Sequence, residues 1–420
     1  MLNDAISDDR DKLIRYIKAH VKKHGTIPHT SLEFYKFVKL LGKGAFGKIT
    51  LGIHKLTGKY VAIKSIDKAN IKDEYSRRKV FQEVYILKKI RHSCVIRLLE
   101  VFESEKHFLM VMEYSGGGDL LQYVKKRKRL NEQSSKAIFK QILYALGHCH
   151  CRSVLHRDIK LDNVLMDGEG GVKLCDFGVS RMVKKGHTIQ EQCGTPAYLA
   201  PEIIIDKGYQ GFSADIWSLG VLLYAMVQGT VPFKASNITD LHKLILAGEF
   251  DFPVDSVSAE VKDLVRRMLV LDPAKRISIP QMLNHPWVAD VEKGFGDSED
   301  GEDEEHDLKV GSTFFRQEVL GGLITGHTSG GNENGNINFV NVENLYYRGG
   351  APAENQATNP EEKVTYSDYC ALTEDFMTYR IDEDAMEIVT GFGFPRNLVI
   401  DSINRGDVNH ATAAYYLLVY

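Results

Sequence analysis

Apolar residues recur at near-helical spacing through residues 4–24, where Ile6, Leu13, Ile14, Ile17 and Val21 share a side, Asp comes early and Lys late. Gly25 stands where a left-handed cap would end such a helix. The spacing predicts an amphipathic helix packed on whatever follows. Residues 34–112 then alternate apolar and polar in the strings FYKFVKLLG, KITLGIH, YVAIKSI and FLMVME, with one helical stretch near 77–90 between them. That pattern describes a small, mostly antiparallel lobe carrying one helix. From 119 to 287 the period becomes mainly helical, as in 131–150, 213–227, 238–247 and 259–269, with short loops between. The last forty residues return to helical spacing in three pieces, near 382–390, 396–404 and 409–419, separated by GFGF and RGD turns.

Composition changes this picture only at the joins. With 420 residues, 43% hydrophobic and 10% aromatic, the chain can fill two or three domains around a large core. The stretch 290–312 is acidic, and 326–360 is rich in Gly and Asn without a sustained period, so both read as linkers. A formal charge of -3 gives no long-range attraction for nucleic acid, and the basic run 125–129 and acidic run 297–307 are read as solvated surface and linker. Cysteines at 94, 149, 151, 175, 193 and 370 lack paired CxxC spacing and follow no secretory segment. Neither a zinc cage nor a disulfide framework is indicated, so cytosol or nucleus is the expected compartment. The most apolar stretch, 216–227, is broken by Trp217, Ser218 and Gly220, and neither Leu2 nor the terminal LLVY carries a lipidation signal. No membrane insertion is expected.

The candidate chemistry lies in HRDIKLDN at 156–163 and DFG at 176–178. Asp158 is the candidate base or proton acceptor for a substrate hydroxyl, and Lys160 can stabilise charge on a transferred phosphoryl group. An isolated loop Asp would ordinarily be a cap. Asn163 and Asp176 are hard oxygen donors flanking a short strand pair, suited to hold Mg2+ against ATP phosphates. Upstream, LGKGAFGKI places Leu41, Gly42, Lys43, Gly44, Ala45, Phe46, Gly47, Lys48 and Ile49 between two strands, where a glycine backbone can close over phosphates. Alone such a string also opens dinucleotide folds, but here an extended run leads on to VAIK and Lys64, and no helix follows Gly47. Glu83 lies in a helical segment with Val80, Val84 and Leu87 as its apolar stripe, so its carboxylate can reach back to Lys64. A solvated edge lysine and a surface glutamate are the ordinary alternatives; they do not explain the full set.

On these motifs residues 34–288 resemble a eukaryotic protein kinase domain, with Ala200-Pro201-Glu202, DIWSLG at 215–220 and Arg276 in DPAKRIS as further matches. The resemblance implies an α+β, bilobal fold with a β-rich N-lobe and a helical C-lobe, using ATP and Mg2+ on protein substrates. It pairs Arg276 with Glu202, makes Met112 the gatekeeper, and gives the backbones of Glu113 and Ser115 the adenine edge. Leu41, Ile49, Ala62 and Leu165 would sandwich the ring. Leu87, Leu99, His156 and Phe177 would stack as a spine anchored by Asp215. Lys160 marks Ser/Thr acceptors, and Asp119 and Asp162 fall where kinases of basic-directed substrates carry acids.

GTPAYLAPE with DIWSLGVLLYAMVQGTVPF and HPW is most similar to the calmodulin-dependent and AMP-activated protein kinase group. Residues 382–420 resemble the ubiquitin-associated-like or autoinhibitory helical domain of its AMP-activated branch. The expected organisation is an N-terminal helical extension at 1–33, the kinase domain at 34–288, a linker at 289–381 and this module at 382–420, docking on the kinase domain. No basic amphipathic helix follows the kinase domain, so calmodulin finds no support there, although the fold group leaves it open. Where the branch carries its activating phosphothreonine, this chain has Glu191. Arg157, Arg181 and Lys79 are the cations expected to engage that charge. Thr188 is the alternative phosphorylation site, and Thr195 is expected to position substrate. A catalytically silent scaffold would need a missing catalytic residue, and a ubiquitin or partner adaptor would act through the C-terminal module.

Overall fold

The computed structural model describes residues 2–43, 47–71, 73–183, 187–254, 257–289 and 381–419. Three glycine-loop candidates, Gly44, Ala45 and Phe46, and nearly all of the expected linker lie outside them. A helix α1 (Leu2–His24) ends at Gly25, whose φ of +67° closes the last turn through its N–H on Val21 O. A five-stranded antiparallel sheet follows, β1 (Tyr35–Lys43), β2 (Gly47–His54), β3 (Tyr60–Asp67), β4 (Leu98–Glu103) and β5 (His107–Glu113), in the order β1-β2-β3-β5-β4. Helix α2 (Glu74–Lys89), capped by the Asp73 carboxylate on Ser76 N at 2.6 Å, crosses between β3 and β4.

The second lobe is helical: α3 (Leu120–Arg127), α4 (Glu132–Cys151), α5 (Pro201–Ile204), α6 (Gly211–Gln228), α7 (Ile238–Ala247), α8 (Ala259–Met268), α9 (Ile279–Leu283) and α10 (Pro286–Ala289). Between α4 and α5 come the short strands β6 (Val154–Leu155), β7 (Val164–Met166), β8 (Val172–Leu174) and β9 (Arg181–Met182), paired β6–β9 and β7–β8. Helix α6 is buried on nearly every side, with Trp217 fully enclosed and stacked on Phe233 at 5.7 Å, so its apolar run is the lobe's centre and not a membrane span. Among the described residues no helix is long and apolar enough to cross a membrane. Three helices close the chain: α11 (Glu383–Gly391), α12 (Arg396–Arg405) and α13 (His410–Val419).

Strand alternation splits the N-lobe sheet between two cores. Phe108, Met110 and Met112 of β5 face α2 and the second lobe, while Leu109 and Val111 face α1 and the terminal helices. The same alternation corrects the expected spine. Leu99 joins the outer core, whereas its neighbour Leu98 joins the inner core with Leu87 and Phe177. Adjacent residues on a strand point to opposite faces, so a one-residue error transfers the side chain to the other side of the sheet.

Candidate active site

Lys64 sits in β3 opposite Met110 and Ile49, and the antiparallel register holds its backbone at the centre of the sheet. Its ammonium donates to Glu83 Oε1 at 2.6 Å and Oε2 at 2.8 Å, with side chains 15% and 6% exposed. Burial alone would lower the Lys64 pKa; the charges of Glu83 and Asp176 outweigh it and raise the value. A protonated lysine is thereby held opposite Ile49 of β2. The glycine loop needs its last glycine for space: a Cβ on Gly47 would meet Ser65 O of β3 at 2.1 Å, whereas one on Gly42 would meet nothing within 4 Å.

Across the cleft, the segment between β6 and β7 gathers the second set. Arg157 and Asp176 both take positive φ, +67° and +61°, a conformation unfavourable for side-chain-bearing residues. The Arg157 turn is held by Asp215, a buried carboxylate of α6 that accepts from His156 N at 3.0 Å, Arg157 N at 2.8 Å and the His150 ring at 2.8 Å. Asp158 then meets Lys160 Nζ at 2.8 Å, accepts from Asn163 Nδ2 at 2.9 Å, and accepts from Thr195 Oγ1 at 2.8 Å. Lys160 also donates to Thr195 Oγ1 at 2.9 Å. Burial pushes the Asp158 carboxyl up, but the hydrogen bonds from Lys160 and Thr195 prevail and hold it below the usual carboxylate range. It is therefore ionised at neutral pH and able to accept a proton.

Asn163 uses its amide nitrogen on Asp158, on both the side chain and the backbone carbonyl at 2.8 Å, which leaves its oxygen as a donor for a cation. Asp176 is exposed, and its Oδ1 also accepts from Gly178 N at 3.3 Å. One amide oxygen and one carboxylate fit Mg2+, whose remaining positions are ordinarily filled by phosphate oxygens and water. The adenine candidates lie between the two sets: Ala62 pairs with Met112, Leu165 bridges to Asp119, and Leu41, Ile49 and Leu165 keep exposed or half-buried side chains.

Three contacts here carry no signal in the sequence. Glu113 is fixed by Lys173 at 3.0 Å and by Arg97 N at 2.6 Å, and Ser115 Oγ donates to Met166 O at 2.7 Å, so the connection between the lobes is tied down on both sides. In each the partners are far apart in the chain.

Around this centre the other candidates are placed unequally. Arg276 forks onto Glu202 at 2.7 and 2.9 Å, as expected. Both terminal nitrogens of Arg157 donate to Glu191 Oε2 at 3.2 Å, and Lys79 of α2 lies 3.3 Å from Glu191 Oε1. The third expected cation, Arg181, lies in β9 opposite Leu155 and makes no ion pair with Glu191. Asp119 is a helix cap, its carboxylate accepting from Gln122 N at 2.8 Å, while Asp162 is exposed beside Lys160. Thr188 is exposed, next to the bridge from Ile189 to Tyr209.

Residues 35–288 match the family model described as the protein kinase domain. The chain is also 39% identical over 261 residues to a Danio rerio protein named serine/threonine-protein kinase SIK3 homolog. That alignment covers 62% of this chain and 22% of the relative, so the chain spans only a minor part of the relative's length.

Proposed function

Because the chain belongs to the protein kinase family, we propose that it is a serine/threonine kinase that transfers the γ-phosphoryl group of ATP to protein hydroxyls. The observation that carries this reading is the complete pairing across one cleft: Lys64 on Glu83, facing Asp158 with Lys160 and Asn163. Lys64 would orient the nucleotide phosphates. Asp158, ionised and fixed by three neighbours, would align the acceptor hydroxyl and take its proton, while Lys160 would offset charge on the moving phosphoryl group. Bound Mg2+, held by Asn163 and Asp176, would neutralise the phosphate oxygens. A silent scaffold has less support, since no member of the set is missing.

Three finer readings rest on the same geometry. Glu191 supplies a standing negative charge to Arg157 and Lys79, which favours basal activity without phosphorylation at that position; Thr188 is the competing control site. The exposed Asp162 favours substrates with basic residues upstream of the acceptor, with Asp119 a weaker contributor because it also caps α3. The C-terminal module serves the kinase domain and not ubiquitin, because its turn residues Phe392 and Phe394 are buried against α1.

The deciding experiment is a positional peptide-library assay on the full chain with ATP and Mg2+, with mass spectrometry of Thr188 and Thr195. Phosphotransfer to Ser/Thr peptides with upstream Arg, and without modification of those threonines, is the expected result. Absence of transfer by nucleotide-bound protein would leave the scaffold reading in place.

A further inference from the structure

The outer core of the N-lobe joins two ends of the chain that are separated by hundreds of residues. Leu13 and Ile17 of α1 are buried in one cluster with Val61, Ile63, Leu99, Leu109 and Val111 of the sheet and with the three terminal helices. The contacts between the ends are specific. Arg10 lies over the Phe392 ring at 5.1 Å. Gly393, at φ +101°, approaches α1 so closely that a Cβ there would meet Lys18 Cγ at 2.6 Å. Asp9 pairs with Lys55 at 3.0 Å, fastening α1 to the turn between β2 and β3.

The segment after α1 completes the seat. Ser31 N–H donates to His410 Nε2 at 3.1 Å, and the Phe34 ring stacks on the His410 imidazole at 3.5 Å. The other ring nitrogen of His410 lies 2.6 Å from Glu100 Oε1, a close contact that is not aligned as a hydrogen bond, with both side chains fully buried. Tyr35 and His54, from β1 and β2, are the other titratable groups against this pair. A buried carboxylate without an aligned partner is costly, so the enclosure around Glu100 is held closed by the apolar packing of its walls and not by this pair. Residues 31–34 form one wall of that enclosure.

The opposite side of the module bears on α2. Arg91, just past the end of α2, donates to Ile403 O at 3.3 Å, and Arg97 lies over the Tyr416 ring at 4.3 Å. Leu87 of α2 and Ile90 at its C-terminal cap line a cleft with Val408, Thr412 and Tyr416. Helix α2 carries Glu83, and with the module seated Glu83 is on Lys64.

We infer that residues 2–34 are a control element of this kinase: they complete the seat of the C-terminal module, and the seated module holds α2 in its Glu83-paired position. On this inference the two termini form a clamp that supports activity, and a factor that draws α1 away would lower it. The inference rests on the kinase reading above for its activity readout.

The test uses the full chain carrying Ile17→Asp, with hydrogen–deuterium exchange followed alongside peptide phosphorylation. Exchange should rise in 385–417 and in the second half of α2, remain unchanged in α6, and kcat/KM should fall about fivefold or more. Asp9→Lys, which removes no buried side chain, should act in the same direction more weakly, and Lys55→Glu added to it should restore both readouts. Unchanged exchange in 385–417 would overturn the seat. Released terminal helices with unchanged or raised activity would overturn the clamp. Inactive wild-type protein would instead refute the kinase reading, which separates the two failures.

Discussion

Replacing Glu191 by alanine tests how the activation segment is held. Arg157 is 5% exposed and Glu191 31% exposed, and the carboxylate is shared between Arg157 at 3.2 Å and Lys79 at 3.3 Å. At that separation and an effective dielectric near 20, one pair attracts by about 5 kcal/mol before solvation is counted. A carboxylate that reaches solvent recovers most of this on hydration, and exposed pairs contribute only about 0–1 kcal/mol. Breaking a fully buried pair costs about 3–5 kcal/mol. With one buried and one half-exposed cation, the loss is about 1–2 kcal/mol. Arg157 keeps its bond from Nε to Val179 O at 2.6 Å, which limits the damage to the segment. Since 1.4 kcal/mol is a factor of ten, kcat/KM should fall about 5- to 30-fold in Glu191→Ala, and by less in Glu191→Gln, which keeps the shape without the charge. The assay is peptide phosphorylation by protein made in a host without upstream kinases, with Thr188 confirmed unmodified. Both variants within about twofold of wild type would refute the reasoning, because a charge of that energy cannot be removed without effect.

Other outcomes follow from the same geometry. Gly47→Ala should lower the melting temperature, at about 1–3 kcal/mol for overpacking against Ser65 O, while Gly42→Ala leaves it nearly unchanged; equal effects would contradict the register of β2 on β3. Burial, with nearby positive charge or imidazole, lowers the pKa of His54 to about 3, His92 to about 4 and His148 to about 2. Below pH 6.5 the unfolded chain therefore binds protons that the fold refuses, so stability falls with pH, by about 1 kcal/mol per ring at pH 5.5. A melting temperature flat from pH 7.5 to 5.5 would count against those burials. Lys64→Met should abolish phosphotransfer and also lower the melting temperature, because Glu83 is left buried without its cation, and chelation of Mg2+ by EDTA should abolish transfer reversibly; transfer persisting in either case would contradict the assigned roles.

The chain's own pattern determined a great deal. Residue types in order, from Gly42 through Lys64 and Glu83 to Asp158, Asn163 and Asp176, carried the chemistry because phosphoryl transfer needs a cation, an acceptor carboxylate and oxygen donors. Periodicity placed the helices within a few residues, and α7 emerged at 238–247 as expected because its Asn237 cap and Gly248 end are local signals.

Contacts between distant residues were decided only by the tertiary structure. Whether Leu98 or Leu99 faced the spine depended on the phase of a strand, and which cations met Glu191 depended on bringing Lys79 of α2 and Arg157 together across the cleft. The sequence showed an amphipathic α1 and three terminal helices, and the resemblance had those three docking on the kinase domain without saying which surface they would cover. Their common cluster on the sheet, with Ser31 on His410 and Glu100 enclosed between them, arises because apolar burial is non-directional and chooses its partner by shape in the folded chain. Local spacing fixes which face of a helix is apolar; only the assembled fold fixes what that face meets.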